Sequence, residues 1–277
     1  MRLLLVADTY PPSRISGALQ MRDLAVALAG LGHRPLVLTP TDQPGPRVRL
    51  ETHDGVQVLR VRAPRTKDVS YLRRTLAELL LPRVLLRGLD ASVLRGERWD
   101  GVVWYSPTIF LGRLIRTIKR RHRCPGYLIV RDLFPDWAAD AGVLRKDGPA
   151  YRFFKRVERD QYRQADVIGV QTPSNAPLVA RDAPSATRIE VLHNWLSPPM
   201  AEMAGEAVPL AHLQGRTNFV YAGNMGVAQD MDAFVGLARR MQDRTDVGFV
   251  FIGRGSEASR LRLEAHALPN LLVLDEV

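Results

Sequence analysis

The feature that most constrains this chain is an alternation: short apolar runs and helix-period segments take turns along its whole length. Residues 2–7 form an unbroken apolar run, which suits a strand buried on both faces of a parallel sheet. A proline-bearing loop from Asp8 to Gly17 follows, and then Met21, Leu24, Ala25, Leu28 and Leu31 fall at helical spacing. Gly32 is expected to close that helix, and Pro35 to Thr39 reads as the next strand. Further strands are expected near 56–62, 101–105, 127–131, 166–171 and 188–192, with helices near 72–87, 108–122, 151–164 and 174–182. Strands separated by helix-length segments specify βαβ units, so the fold class is α/β with a parallel sheet.

Residues 197–217 interrupt the pattern with Pro198, Pro199, Gly205, Pro209 and Gly215, and read as a linker. They separate an N-terminal domain, 1–196, from a C-terminal one, 218–277. The second domain restarts the alternation: strand 218–222, helix 229–241, strand 247–252, helix 256–266 and strand 270–274. A βαβαβ piece of that size leaves sheet edges uncovered. The second domain is therefore expected to be incomplete, either truncated or finished by another polypeptide.

Composition narrows the setting. Of 277 residues, 46% are hydrophobic and 25% charged, enough for a packed core and too ordinary for wholesale disorder. The single cysteine, Cys124, rules out an intrachain disulfide and favours a reducing compartment. The run Leu3 to Ala7 is too short for a signal-peptide core, and no apolar stretch approaches the ~20 residues a membrane span needs. A cytoplasmic location is expected. The net charge of +10 points to an anionic partner. From Gly101 to Arg131 there is no acid, while Arg113, Arg116, Lys119, Arg120, Arg121 and Arg123 crowd one helix. The segments 72–87 and 108–122 both combine arginines with an apolar stripe; each alone reads as a core helix with a solvated face. Together they favour docking on an anionic membrane surface. Nucleic acid is not expected, because no reading module is present and aromatics are not interleaved with the basic run.

In open parallel sheets ligands bind at the carboxyl ends of strands. One glycine-bearing strand-to-helix loop there ends Ser16-Gly17-Ala18, where a helix start favours anions, although a glycine closing a tight turn fits equally. A second is Tyr221 to Gly226, a plausible phosphate cradle. The Asp230-Met231-Asp232 triplet beside it matches a metal-binding pattern, but acids in a first helical turn are favoured by the dipole anyway. The third loop, Gly253 to Ala258, fits a dinucleotide fingerprint with Asp275 as its ribose acid, which leaves an NAD(P)-dependent oxidoreductase as a competing reading. The segment Arg131-Asp132-Leu133-Phe134-Pro135-Asp136-Trp137 sets one arginine, two aspartates and two aromatics at a strand end, where catalytic groups belong; an Arg131–Asp132 pair with packed aromatics is the structural alternative. His33 sits at a helix end that suits a cation, and His193 precedes Asn194 and Trp195 at a strand end. No zinc-ligand spacing, P-loop or G-x-S-x-G elbow occurs.

These segments resemble a family. Tyr10-Pro11-Pro12 with Ser16-Gly17, Leu31-Gly32-His33, Trp104-Tyr105-Ser106-Pro107, Arg131 to Pro135, Leu192-His193-Asn194, Tyr221 to Gly226 and Ile252 to Gly255 occur in the order found in retaining glycosyltransferases of family 4. The likeness is to the branch building bacterial O-antigen, capsule and exopolysaccharide. It implies a GT-B fold of two Rossmann-like domains, a nucleotide-sugar donor (UDP-linked by preference) and a lipid-linked or glycan acceptor, with no metal and no cofactor. By that resemblance Arg131 and Asp132 are catalytic. Ser16, Gly17, Tyr105, Ser106, Asn194, Gly223, Asn224, Met225, Gly226, Gly253, Arg254 and Gly255 bind substrate. The diphosphate meets backbone amides of Gly223 to Gly226, with Arg254 standing in for the basic residue relatives carry after that loop. The family's E-x7-E element is not found before Val277.

Overall fold

The computed structural model describes residues 1–66, 69–195, 208–226 and 229–275. Two compact units divide the chain, Met1–Pro198 and Pro199–Val277.

The first unit opens β1 (Arg2–Val6), α1 (Ser16–Gly30), β2 (Arg34–Thr41), β3 (Val48–His53) and β4 (Val56–Arg62). It continues α2 (Tyr71–Asp90), β5 (Gly101–Ser106), α3 (Gly112–His122), β6 (Gly126–Val130), α4 (Asp136–Asp140) and α5 (Pro149–Tyr162). β7 (Val167–Val170), α6 (Ala176–Ala180) and β8 (Arg188–Val191) complete it. The sheet order is β3-β4-β2-β1-β5-β6-β7-β8, parallel except for β3.

Strand alternation explains the two-sided core. Leu4, Val6, Leu36, Leu38 and Trp104 face one side, with Leu81 and Leu85 of α2 and Leu114 and Ile118 of α3. Leu3, Leu5, Ala7 and Val37 face the other, against Met21 and Ala25 of α1. Gly32 takes φ +80 just past α1, and the amides of Gly32 and His33 bond back to the carbonyls of Ala29 and Leu28, a paired closure that stops the helix.

Several expectations are corrected here. β3 is an antiparallel edge strand absent from the sequence reading; Asp54 and Gly55, both at positive φ, make the two-residue turn that folds it onto β4. The helix expected from 108 begins at Gly112, because the Thr108 hydroxyl bonds the Phe110 amide and the Glu78 carboxylate and holds a turn instead. The helix expected over 174–182 is a short 3-10 turn, Pro173–Asn175, followed by α6.

The second unit carries β9 (Thr217–Ala222), α7 (Met231–Arg240), β10 (Val247–Ile252), α8 (Ala258–Ala267) and β11 (Leu271–Leu274). The three strands are parallel in the order β11-β10-β9. Phe249 and Phe251 pack under α7 and α8, while Val250 and Ile252 face Leu213 on the other side. Residues 197–207 of the expected linker lie outside the described residues. The last part of that stretch forms a 3-10 turn, Ala211–Leu213, whose leucine joins this core, so it packs rather than merely connecting.

Candidate active site

The strand order of the first unit reverses between β1 and β5: the chain winds outward to β4 on one side and to β8 on the other. Such a switch point opens a crevice at the carboxyl ends of the two strands. Three segments expected to bind substrate meet there, carrying Ser16–Gly17, Tyr105 and Asn194. Tyr105, next to last in β5, sets its ring against the start of α1; a Cβ on Gly17 would lie 3.0 Å from the Tyr105 ring, so a glycine keeps helix and ring in contact. The Tyr105 hydroxyl donates to Gln20 Oε1 at 3.2 Å, Gln20 Nε2 donates to Asn194 Oδ1 at 3.1 Å, and Trp195 Nε1 donates to the Gln20 carbonyl at 3.3 Å. Ser16 stands exposed on the first turn of α1, which carries no acidic residue and no side-chain cap. No charge within α1 itself offsets the positive end of its dipole.

Arg131 lies at the centre of this cluster, only 9% exposed. Its Nη1 donates to the Leu192 carbonyl at 3.3 Å, and its guanidinium carbon sits 4.7 Å from the centre of the Trp195 ring. Nε and Nη2 are buried and lack a hydrogen-bond partner among the described residues. Burial lowers the Arg131 pKa, and the Tyr105 hydroxyl beside it opposes that shift. Tyr105 is itself shifted up by burial, with Arg131 pulling the other way. A guanidinium held this far from water, with two donors unspent, is built to meet an anion.

Asp132 does not pair with Arg131. It stands exposed beside the buried arginine, and the protein packed around it raises its carboxyl pKa. The loop that carries it is clamped from below. Asp136, Glu158 and Asp182 bring carboxylate oxygens within 4.8 Å of one another, a grouping that could hold a metal ion. The Lys155 ammonium fills it, at 2.7, 2.6 and 2.7 Å from the three. Tyr151 donates to Asp136, Tyr162 to Glu158 and Arg159 to Asp182. Burial disfavours the Lys155 charge, but its hydrogen bonds to the three acids outweigh that and raise its pKa. Burial also raises Glu158, against the pull of Lys155 and Tyr162.

Ser106 falls outside the crevice surface. It is buried, and its hydroxyl accepts from Gln161 Nε2 at 3.3 Å, so it supports β5 rather than facing a ligand. The sequence reading missed Gln20 and the Lys155 clamp. Gln20 carried a signal, since it sits one helical turn after Gly17 and shares its face.

In the second unit the two glycine-bearing loops zip together. Gly223 N donates to the Ile252 carbonyl, Met225 N to the Arg254 carbonyl and Glu257 N to the Met225 carbonyl. A Cβ on Gly253 would lie 2.0 Å from the Gly223 oxygen, and one on Gly255 2.1 Å from the Met225 oxygen; only glycine permits the contact. The Gly226 amide bonds Gln229 Oε1 at 3.2 Å, and Asn224 Nδ2 bonds the same oxygen at 3.0 Å. The amide cradle expected over Gly223 to Gly226 is corrected accordingly: three of its four amides are already engaged, and the loop presents the exposed Asn224 instead. Arg254, on the second of these loops, is exposed. Asp232 pairs with Arg260 at 2.8 Å, and Asp275 is bonded by Arg262.

The basic helices are partly neutralised. On α3, Arg116 pairs with Asp160, Lys119 with Asp166 and Arg121 with Asp90, while its leucine and isoleucines are core residues. On α2 Arg74 pairs with Glu78, the one ion pair of its arginines among the described residues, and Leu72, Leu76, Leu79 and Leu80 are exposed. No described helix is long and apolar enough to cross a membrane.

Comparison with known proteins agrees with this geometry. The chain is 25% identical over 142 residues to the probable glycosyltransferase WbjE of Pseudomonas aeruginosa; the match covers 50% of this chain and 35% of that relative. The chain thus matches about a third of the length of the curated relative. Among solved structures it resembles sucrose-phosphate synthase from Thermosynechococcus elongatus, with a TM-score of 0.68 at 12% identity over 100% of this chain and 70% of that one. It also resembles the UDP-forming alpha,alpha-trehalose-phosphate synthase of Burkholderia vietnamiensis, with a TM-score of 0.64 at 14% identity over 99% and 73%. The catalytic domain of starch synthase IV from Arabidopsis thaliana, bound to ADP and acarbose, gives 0.64 at 12% identity over 99% and 74%. At these identities the likeness concerns fold: α/β with Rossmann-like parallel-sheet domains, the GT-B class. The family model described as a glycosyl transferase 4-like domain matches residues 17–195, most of the chain, and the chain therefore belongs to that family.

Proposed function

We propose that this chain transfers a sugar or aminosugar from a nucleoside-diphosphate sugar, UDP-linked by preference, to a lipid-linked or glycan acceptor in cell-surface polysaccharide synthesis. The observation that carries the reading is the buried Arg131 guanidinium, with two unspent donors beside the uncapped start of α1. In glycosyl transfer the acceptor oxygen bonds the anomeric carbon as the bond to the diphosphate oxygen breaks. The departing diphosphate takes up negative charge and, in the end, the acceptor's proton. Fixed positive charge in a dry crevice stabilises that development. Arg131 and the α1 amides supply it in this reading, and Asp132, exposed beside them, accepts the hydrogen bond of the attacking hydroxyl. Gly253 to Gly255 and Asn224 contact the nucleotide side of the donor. The fold neighbours that form UDP or were solved with ADP support a nucleotide-linked donor. Retention of configuration and independence of metal and cofactor complete the proposal. So does peripheral attachment to the cytoplasmic membrane face through α2, where Arg73, Arg83 and Arg87 accompany the exposed leucines.

The test is transfer from a panel of UDP-, ADP- and GDP-sugars to polyprenyl-diphosphate-linked acceptors, with and without EDTA, with the anomeric configuration read by NMR. Transfer from one donor class that survives EDTA is expected. Lack of both transfer and nucleotide-sugar binding across the panel would sink the proposal.

A further inference from the structure

α5 carries two faces. Tyr151, Lys155, Glu158 and Tyr162 turn inward, to the clamp and the core. Phe153, Arg156, Val157, Asp160 and Arg163 follow one another at spacings of one, three or four residues and form a single stripe on the opposite side. That stripe lines a cavity of about 350 Å³ shared with α2 and α3. α3 comes in close beneath it. A Cβ on Gly112, its first residue, would lie 3.1 Å from an Asp160 carboxylate oxygen and 3.2 Å from the Gln161 backbone. Leu79 and Pro82 line the cavity from α2.

Four arginines line this cavity against one acid. Arg116 takes Asp160, which leaves Arg113, Arg156 and Arg163 exposed and with no ion pair among the described residues. Apolar groups lie between these cations, and Leu79 and Phe153 are each 40% exposed. Three unpaired like charges around one apolar recess call for a surface that is acidic and apolar at once. The geometry selects a helix. From Phe153 to Arg163 the stripe runs about 15 Å, close to three helical turns. Arg156 and Arg163 stand about 10 Å apart along it, so carboxylates seven positions apart on a docked helix reach both. A furrow between packed helices is also where the ridge of another helix seats.

We propose that this cavity docks an amphipathic acidic helix of a partner protein. Its apolar residues enter between Leu79, Phe153 and Val157, and its carboxylates meet Arg113, Arg156 and Arg163. A second copy is the wrong partner, because a chain at +10 repels itself. A bilayer surface is flat, whereas these apolar groups lie in a recess between cations. None of the lining residues is assigned to donor or acceptor, so the docking stands apart from the proposed reaction.

The probe is a labelled peptide of leucine, alanine and glutamate, about 18 residues long so that it is helical, with glutamates seven positions apart on both flanks of a leucine stripe. It is titrated against the whole chain by fluorescence anisotropy, beside the same peptide with glutamine for glutamate. The glutamate peptide is expected to bind at least about tenfold more tightly. R156E/R163E should weaken it at least about tenfold and leave the first unit's urea midpoint unchanged. R181E/R240E makes the same change of net charge at exposed positions outside the cavity and should hold affinity within about twofold. Failure of the glutamate peptide to bind at about 100 μM overturns the proposal, as does equal affinity for the two peptides. So does an R156E/R163E chain that binds like the wild type, or an R181E/R240E chain weakened as much as R156E/R163E. Capture by phosphatidylglycerol vesicles that R156E/R163E abolishes, with no peptide binding, would assign the cavity to a lipid surface and overturn it too.

Discussion

Replacing Lys155 by methionine (K155M) removes the cation that Asp136, Glu158 and Asp182 share, and the three acids do not lose equally. The Asp136 side chain is 40% exposed and rehydrates. Asp182 keeps Arg159 at 2.7 Å. Glu158, 2% exposed, keeps only the Tyr162 hydroxyl at 2.8 Å. An orphaned buried charge of this kind costs about 3–5 kcal/mol, with the two better-solvated acids adding about 1 kcal/mol together. All four tryptophans, Trp99, Trp104, Trp137 and Trp195, lie in the first unit, so their fluorescence in urea follows that unit alone. At an m-value of about 2 kcal/mol/M the unfolding midpoint should fall by about 2–3 M. The pH dependence has a definite sign. Glu158 is already raised by burial and loses the Lys155 contribution that opposed it. In K155M it therefore holds a proton in the folded state at pH values where the unfolded chain, near an ordinary glutamate pKa of about 4.3, has released it. The penalty is thus full above the raised folded value and shrinks as pH falls through it. A midpoint shift below about 0.5 M at pH 7.5, or an equal shift at pH 5.5, would refute the clamp.

Other outcomes follow from the same geometry. R131M should cut transfer by about 10²–10³-fold. It should also leave the first unit's urea midpoint unchanged or raised, since the buried unpaired guanidinium is costly and its stacking on Trp195 returns only about 1 kcal/mol; a collapse in stability would make Arg131 structural. D132N should lower kcat about 10²-fold or more and erase an acidic limb in the rate profile. Because the Asp132 pKa is raised, the wild-type limb should lie above the ordinary carboxylate range, and a limb unchanged in D132N would assign it elsewhere. G255A drives a methyl into the Met225 carbonyl and should destabilise the second unit by about 1–3 kcal/mol, read as faster amide exchange in β10, with weaker donor binding. Unaltered exchange would mean the loops separate without cost.

Much of the first unit was legible because its signals are local. Runs such as Leu3 to Ala7 are apolar on both faces, and helix periods follow them at regular intervals, so strand, helix and parallel pairing could be read directly. The edge strand β3 escaped because its residues, Val48 to His53, are half polar and lie against only one neighbour; the Asp54-Gly55 turn was its one clear mark. Thr108 displaced the start of α3 by a side-chain bond to Glu78, thirty residues earlier, which no local pattern carries.

The site divides along the same line. Sequence alone located the loops, because the carboxyl ends of parallel strands and their glycines are local features: Gly17, Arg131, Asp132, Asn194 and the two loops of the second unit. Only tertiary structure decided what each residue does there. Strand order put β1 beside β5 and so brought Gly17 against Tyr105 across 88 positions of chain. It buried Arg131 with two donors unspent, turned Ser106 inward onto Gln161, and engaged the amides of Gly223, Met225 and Gly226 that had been expected to face a diphosphate. Residue type determines which bonds a group can make, and periodicity determines which element carries it. Whether those bonds are already made depends on neighbours that meet only when the sheet closes around them.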